Sequence, residues 1–113
     1  EGVSLAVTQI ENRKMHNSKI LVVYEPKIHE SIAGIIAGRI KDIYNRPTII
    51  LTKGMEGAKG SARSIDGYNI FEELSKNKDL LNRFGGHPMA AGLSLEITNI
   101  DELITSLLMK LRF

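Results

Sequence analysis

The chain has no cysteine and no tryptophan, only three prolines, and just three phenylalanines and three tyrosines in 113 residues. Without cysteine there is neither a disulfide nor a thiolate metal site, which suits a reducing compartment and makes the cytoplasm the expected location. No apolar run approaches the roughly 20 residues that span a bilayer, so no membrane segment is expected. Charge of one sign is also missing. Fifteen basic residues against thirteen acidic give a net charge of +2, so an anionic partner has to be met by a local cluster rather than by the whole surface. Equally absent are a histidine pair at metal-ligand spacing, an Asp-x-Asp or His-x-x-x-His element and a serine in a nucleophile elbow, which excludes a self-contained catalytic constellation. The first residue is Glu1 and no targeting signal follows, so the chain reads as part of something longer.

What is present is ordinary globular composition, 42% hydrophobic and 25% charged, in a length that makes one domain around a single core. Val3, Val7 and Ile10 recur at helical spacing and predict a helix over residues 3–16 that ends at Asn17 and Ser18 and carries His16 in its last turn. The run KILVVYE, closed by Pro26, predicts a strand buried on both faces. Ile32, Ile35, Ile36, Ile40 and Ile43 predict a helix capped by Ser31, with Ala33, Gly34, Ala37 and Gly38 available for close approach to a sheet or ligand. Asn45-Arg46-Pro47 breaks it, and Thr48 to Thr52 predict a second strand, completing a right-handed strand-helix-strand unit.

The glycine-rich KGMEGAKG is followed by a short strand at residues 61–65, and two short helices are expected between residues 69 and 83, the second including Phe84 in its apolar set. Leu93 to Ile97 alternate like a half-buried strand. Asn99 with Glu102 suggests a capping box for a last helix whose stripe is Ile100, Leu103, Ile104, Leu107, Leu108 and Leu111. The expected fold class is therefore α/β, a single compact domain with a central mixed sheet flanked by helices.

Two stretches can carry chemistry. In Gly60-Ser61-Ala62-Arg63-Ser64 the alternation puts Ser61 and Arg63 on one face of an extended chain, where a hydroxyl and a guanidinium fork match phosphate oxygens. The plainer alternative is a surface strand with one exposed arginine. A Walker loop is rejected, because Lys59 precedes Gly60 instead of following a glycine. In Arg83-Phe84-Gly85-Gly86-His87-Pro88-Met89-Ala90-Ala91-Gly92 the small residues on either side of His87 let a ligand lie against the backbone, and the imidazole can donate to a phosphate or act as acid, base or ligand. A glycine helix cap with a histidine that merely packs fits the same residues. His29, just ahead of the isoleucine helix, could face an anion at that helix's N-terminus or simply be solvated, and His16 is read as structural.

In their order, HESIAGIIAGRIKDIYNRPTIIL, GSARSIDGYNIFEEL and RFGGHPMAAGLSLE closely resemble the DHH-associated domain of the RecJ-type single-stranded-DNA exonucleases, in the DHH phosphoesterase superfamily, from about Ile20 to Phe113. The resemblance implies the substrate-binding half, residues 19–113, of a metal-dependent 5′ to 3′ exonuclease acting in DNA repair and recombination. Residues 1–18 would be the connecting helix from an N-terminal catalytic domain that holds Mn2+ or Mg2+. The Asp-His-His motif of that domain is missing here, so this piece is expected to be inactive alone and to bind no metal itself. Carried over by position, Ser61 and Arg63, with Ser64 beside them, resemble binders of the 5′-terminal phosphate, while Gly85, Gly86 and His87 resemble the motif that lines the cleft near the scissile phosphate, with His87 assisting by phosphate contact. Expected partners are single-stranded DNA with a 5′ end and the catalytic domain, with single-strand binding protein and a helicase as candidate accessories. Many relatives carry three glycines before the histidine, and here Phe84 takes the first position. The rival readings are an oligoribonucleotide or cyclic-dinucleotide phosphodiesterase of the same superfamily, and a non-catalytic nucleic-acid or phosphate-binding module.

Overall fold

The computed structural model describes residues 1–110, so Leu111 of the expected stripe lies outside the described residues. The described residues form four α-helices and five strands in the order α1 (Gly2–Asn12), β1 (Leu21–Tyr24), α2 (Ala33–Tyr44), β2 (Thr48–Gly54), β3 (Gly57–Arg63), α3 (Ile70–Ser75), β4 (Arg83–His87), β5 (Ala90–Leu95) and α4 (Ile100–Lys110). The strands form one sheet in the order β1-β2-β3-β5-β4. Only β1 and β2 run parallel, joined through α2 as a crossover unit, and every other neighbouring pair is antiparallel. The mixed α/β sheet with flanking helices is the fold class that the sequence pattern indicates.

Side-chain alternation splits the interior into two clusters, one on each face of the sheet, rather than the single core expected. On one face Val22, Ile49, Leu51, Ala58, Ala62, Ala91, Leu93 and Leu95 pack under Ile70 and Leu74 of α3 and Ile100, Leu103 and Leu107 of α4. On the other, Leu21, Val23 and Ile50 meet Ala6 and Ile10 of α1 and Ala33, Ile36, Ala37 and Ile40 of α2. β1 and β2 are thus buried on both sides, which is why KILVVYE and TIILT lack polar alternation.

Several local readings shift. α1 stops at Asn12, with Lys14 in a left-handed conformation, so His16 lies beyond the helix. Helix α2 buries its alanines together with Ile36 and Ile40, whereas Ile35 and Ile43 are 67% and 57% exposed. The small residues seat the helix close to the sheet, and five isoleucines exceed what one face can bury. The expected Ser31 cap is a neighbour's work: the His29 ring Nδ1 accepts from the Ser31 N–H (3.1 Å) and caps a short 3-10 turn, Glu30–Ile32, that leads into α2. Arg46, expected only as part of a helix break, donates from Nε to the Ser18 carbonyl and from Nη1 to those of Tyr44 and Asn45, while the Tyr44 hydroxyl donates to Glu11 (2.7 Å). The Tyr-x-Arg-Pro stretch therefore ties α1 to the α2–β2 corner.

The largest departure is at residues 83–92, where the sequence suggests a helix cap and a loop. These residues form the hairpin β4–β5, closed by Pro88 and Met89, and the expected second helix shrinks to a 3-10 turn at Lys78–Leu80. Phe84 is consequently a strand residue that turns into the first cluster and meets the Phe71 ring at 5.7 Å between centroids. Asn99 directs its side-chain amide to the Leu80 carbonyl (3.2 Å), and a 3-10 turn, Ile97–Asn99, precedes α4 in place of the capping box.

Candidate nucleic-acid interface

Helices α1 and α2 together cover β1, β2 and the near side of β3, and leave the same face of β5 and β4 open. Three cross-strand rows of paired residues run over that open face. Arg63 pairs with Ala90 and Ala90 with His87; Ser61 pairs with Gly92 and Gly92 with Gly85; Lys59 pairs with Ser94 and Ser94 with Arg83. Paired residues in a sheet point to one side, and the intervening Ala58, Ala62, Ala91, Leu93 and Phe84 point to the first cluster. The face is basic at both ends, with a floor of glycine and serine, and over its Ser61 row and its Lys59 row lies a groove of about 500 Å3 whose lining includes Lys59, Ser61, Arg83, Gly85, Gly92 and Ser94.

Ser61 and Arg63 are brought together as alternation predicts, and α2 completes their setting. A Cβ at Gly34 would stand 2.6 Å from Arg63 Nη2 and 3.5 Å from Ser61 Oγ, so the missing side chain in the first turn of α2 is what admits the guanidinium. Arg63 Nη1 donates to the Ala62 carbonyl (2.8 Å), and no carboxylate pairs with Arg63 among the described residues. A cation beside the positive end of a helix dipole, with no counter-charge, is an arrangement that an incoming anion relieves.

The two glycines of the hairpin have different jobs. Gly86, at φ +145°, is dictated by the fold, since a Cβ there would collide with the Ala90 carbonyl oxygen. Gly85 has open space where its Cβ would be. His87 is exposed at the end of β4, and its Nδ1 accepts a long bond from the Met89 N–H (3.4 Å). In the neutral ring that tautomer leaves the proton on Nε2 as a donor. Phe84 turns its side chain to the first cluster and not to the open face, so it leaves the floor beside Gly85 clear.

Ser64 and His29 are not part of this surface. Ser64 is buried on the opposite side of the strand and its hydroxyl donates to the Tyr68 carbonyl (2.5 Å); it holds the connection to α3, so its hydroxyl proton is not free for a phosphate. Ser64→Ala is expected to lower unfolding stability by about 1–2 kcal/mol and to leave phosphate binding unchanged, which thermal denaturation and a binding titration together check. His29 uses Nδ1 in its cap and lines a separate recess with Pro26, Lys27 and Thr52.

Sequence reasoning missed Lys59, Arg83 and Ser94 as site residues, and marked Gly34 only for close approach to a sheet or ligand without its contact to Arg63. Lys59 pairs with Glu30 (2.8 Å), and this lysine holds the Glu30 carboxyl below its ordinary value. The pair is therefore charged at neutral pH, and on the acid side it is lost as Glu30 titrates through that lowered value. Among the described residues no group of three or more His, Asp or Glu side chains converges to hold a metal, and no helix is long and apolar enough to cross a membrane.

Comparison with known proteins gives the family of the chain. The RecJ single-stranded-DNA-specific exonuclease of Bacillus subtilis is 41% identical over 102 residues, covering 87% of this chain and 13% of that protein. The Haemophilus influenzae RecJ is 44% identical over 80 residues, 66% of this chain and 14% of the relative. The chain thus spans about one seventh of the length of these relatives. A crystal structure of exonuclease RecJ bound to manganese superposes with a TM-score of 0.79 at 27% identity, over 97% of this chain and 29% of the other. The Thermus thermophilus RecJ in complex with Mg2+ gives 0.78 at 27% identity, over 97% of this chain and 18% of the other. The DHHA1 domain family matches residues 17–112, and with the sheet, the hairpin and its glycine-histidine element in place, the chain belongs to that family as a RecJ-type DHH-associated domain.

Proposed function

We propose that this chain is the strand-binding domain of a cytoplasmic single-stranded-DNA-specific exonuclease and that it holds the 5′-terminal phosphate at Ser61 and Arg63. The observation that carries this is the placement of an unpaired arginine and a serine under Gly34, at the N-terminal end of α2, in a chain whose relatives are RecJ exonucleases. Arginine offers a planar fork of donors to phosphate oxygens, the serine hydroxyl adds a short one, and the helix end favours negative charge. About two strand spacings across the sheet, roughly 10 Å, Gly85 leaves the backbone bare and His87 offers Nε2–H, so a phosphate beyond the terminal one meets a donor on an open floor.

No phenylalanine or tyrosine is among the residues of the three rows, so the face reads phosphates rather than stacking bases. That favours a long strand held by its backbone over a small dinucleotide ligand. The described residues offer no metal ligand set, so the metal ions named in the relatives' structures belong to another domain of the enzyme in this reading, with residues 1–18 leading from it. There they would activate the water that cleaves the phosphodiester. The part played by this chain is to fix the strand.

The test is a titration of the chain with short single-stranded DNA carrying or lacking a 5′-phosphate, at low and moderate salt, followed by phosphorus and amide NMR. Phosphate-dependent shifts centred on Ser61, Arg63 and His87 are expected. Shifts indifferent to the phosphate and spread over surface lysines would leave only a nonspecific binding module.

A further inference from the structure

The open face continues past Ser61 to the row of Lys59, Ser94 and Arg83. Arg83 is exposed on the edge strand and has no hydrogen-bonded or ionic side-chain partner among the described residues, so nothing in the fold uses its charge. It lines the groove over Ser61 and also a second recess of about 410 Å3 that shares Lys59 and Ser94, and so stands on the ridge between the two. We propose that Arg83, with Ser94 beside it, is a second phosphate subsite, which holds an internal phosphate of the strand two nucleotides downstream of the terminal one. The inference deepens the reading above and takes its register from the end held at Ser61 and Arg63.

Spacing supports it. From Ser61 to Arg83 is two strands across, each about 4.8 Å, and two residues along, about 6.7 Å, or roughly 12 Å in all. A nucleotide has six backbone bonds to the amino acid's three, so its stretched repeat is about twice the 3.3–3.6 Å of a residue, near 7 Å. Two repeats reach Arg83 with a little slack, and one does not. Gly92 and Gly85 form the floor between the two points without a side chain in the way. The neighbouring Lys59 is held by Glu30, so an arriving phosphate competes with a carboxylate there and Arg83 makes the free contact.

The experiment measures affinity for 5′-phosphorylated oligothymidylates of one to six nucleotides, with each length also prepared with a 5′-hydroxyl. Arg83→Ala is expected to leave the one- and two-nucleotide ligands within twofold of wild type and to weaken those of three or more by about fivefold, with the salt dependence shallower by about 0.7 in log-log slope, the share of one single-strand phosphate. Arg83→Lys should recover most of the loss, and Glu30→Gln, which frees Lys59, should tighten the longer ligands severalfold. An Arg83→Ala effect that is equal at all lengths, or absent at all lengths, overturns the subsite. The hydroxyl-ended series separates this from the end clamp: if wild type ignores the terminal phosphate, that reading fails, while a length-dependent loss at Arg83 still identifies an internal contact.

Discussion

Arg63→Ala is expected to abolish the preference for a 5′-phosphate over a 5′-hydroxyl and to weaken the phosphorylated strand by about 1.5–3 kcal/mol, ten- to a hundredfold. The size follows from what is lost, a charge-assisted fork in a half-enclosed corner where a helix end already favours the anion. The fold should hardly notice. Among the described residues Arg63 has no carboxylate partner, and its guanidinium bonds there only to the carbonyl of the preceding residue, so the unfolding transition should move by less than about 1 kcal/mol. Lysine at this position keeps the charge and loses the fork, and should restore only part of the affinity. Gly34→Ala keeps the arginine but sets a methyl group 2.6 Å from where Nη2 now lies, displacing the guanidinium and weakening phosphate binding with the charge intact. Titration calorimetry beside thermal denaturation checks all three. Unchanged affinity in Arg63→Ala would sink the clamp, and a stability loss of several kcal/mol would instead mark the arginine as a structural charge.

The parts of this arrangement that the sequence reveals are those with local signals. β1 and β2 are continuous apolar runs ended by Pro26 and a glycine-rich turn, and alternation alone places Ser61 and Arg63 on one side of β3. The hairpin β4–β5 lacks such a signal. Its two-residue turn is Pro88-Met89 rather than an Asn-Gly or Asp-Gly pair, and Leu80, Leu81 and Phe84 mimic helical spacing. With the hairpin unread, Arg83 falls at the end of a supposed helix and its alternation with Gly85 and His87 passes unnoticed. Lys59 becomes a neighbour of Ser94 only through pairing of strands distant in sequence, and Arg83 only through the hairpin itself. The role of Gly34 is less legible still, because its value lies in the guanidinium that occupies its missing side chain's place, a contact between residues 29 positions apart. Ser64 errs in the opposite sense. It sits in the same short polar stretch as Ser61 and Arg63, but strand alternation turns it to the buried side, where the Tyr68 carbonyl claims it.

Adjacent glycines of the hairpin should separate fold from binding. Gly86→Ala is expected to cost about 3 kcal/mol, because φ +145° is a conformation that a residue with a Cβ rarely adopts. The new methyl would also collide with the Ala90 oxygen and meet Ala91 Cα at 2.6 Å, both backbone atoms with no flexible side chain to yield. The hairpin would have to shift, and His87 with it. Gly85→Ala meets nothing within 4 Å and should leave stability unchanged or raise it by about 0.5 kcal/mol, since alanine loses less chain entropy on folding. Its methyl group would, however, stand on the floor between Ser61 and Arg83, where the strand is to lie, and should weaken binding of oligonucleotides of three or more residues severalfold in a fully folded protein. Chemical denaturation and DNA titration of the two variants check the contrast. If Gly85→Ala binds as wild type does, the strand does not cross this floor; if Gly86→Ala is as stable as wild type, the hairpin tolerates a backbone rearrangement that its tight pairing argues against.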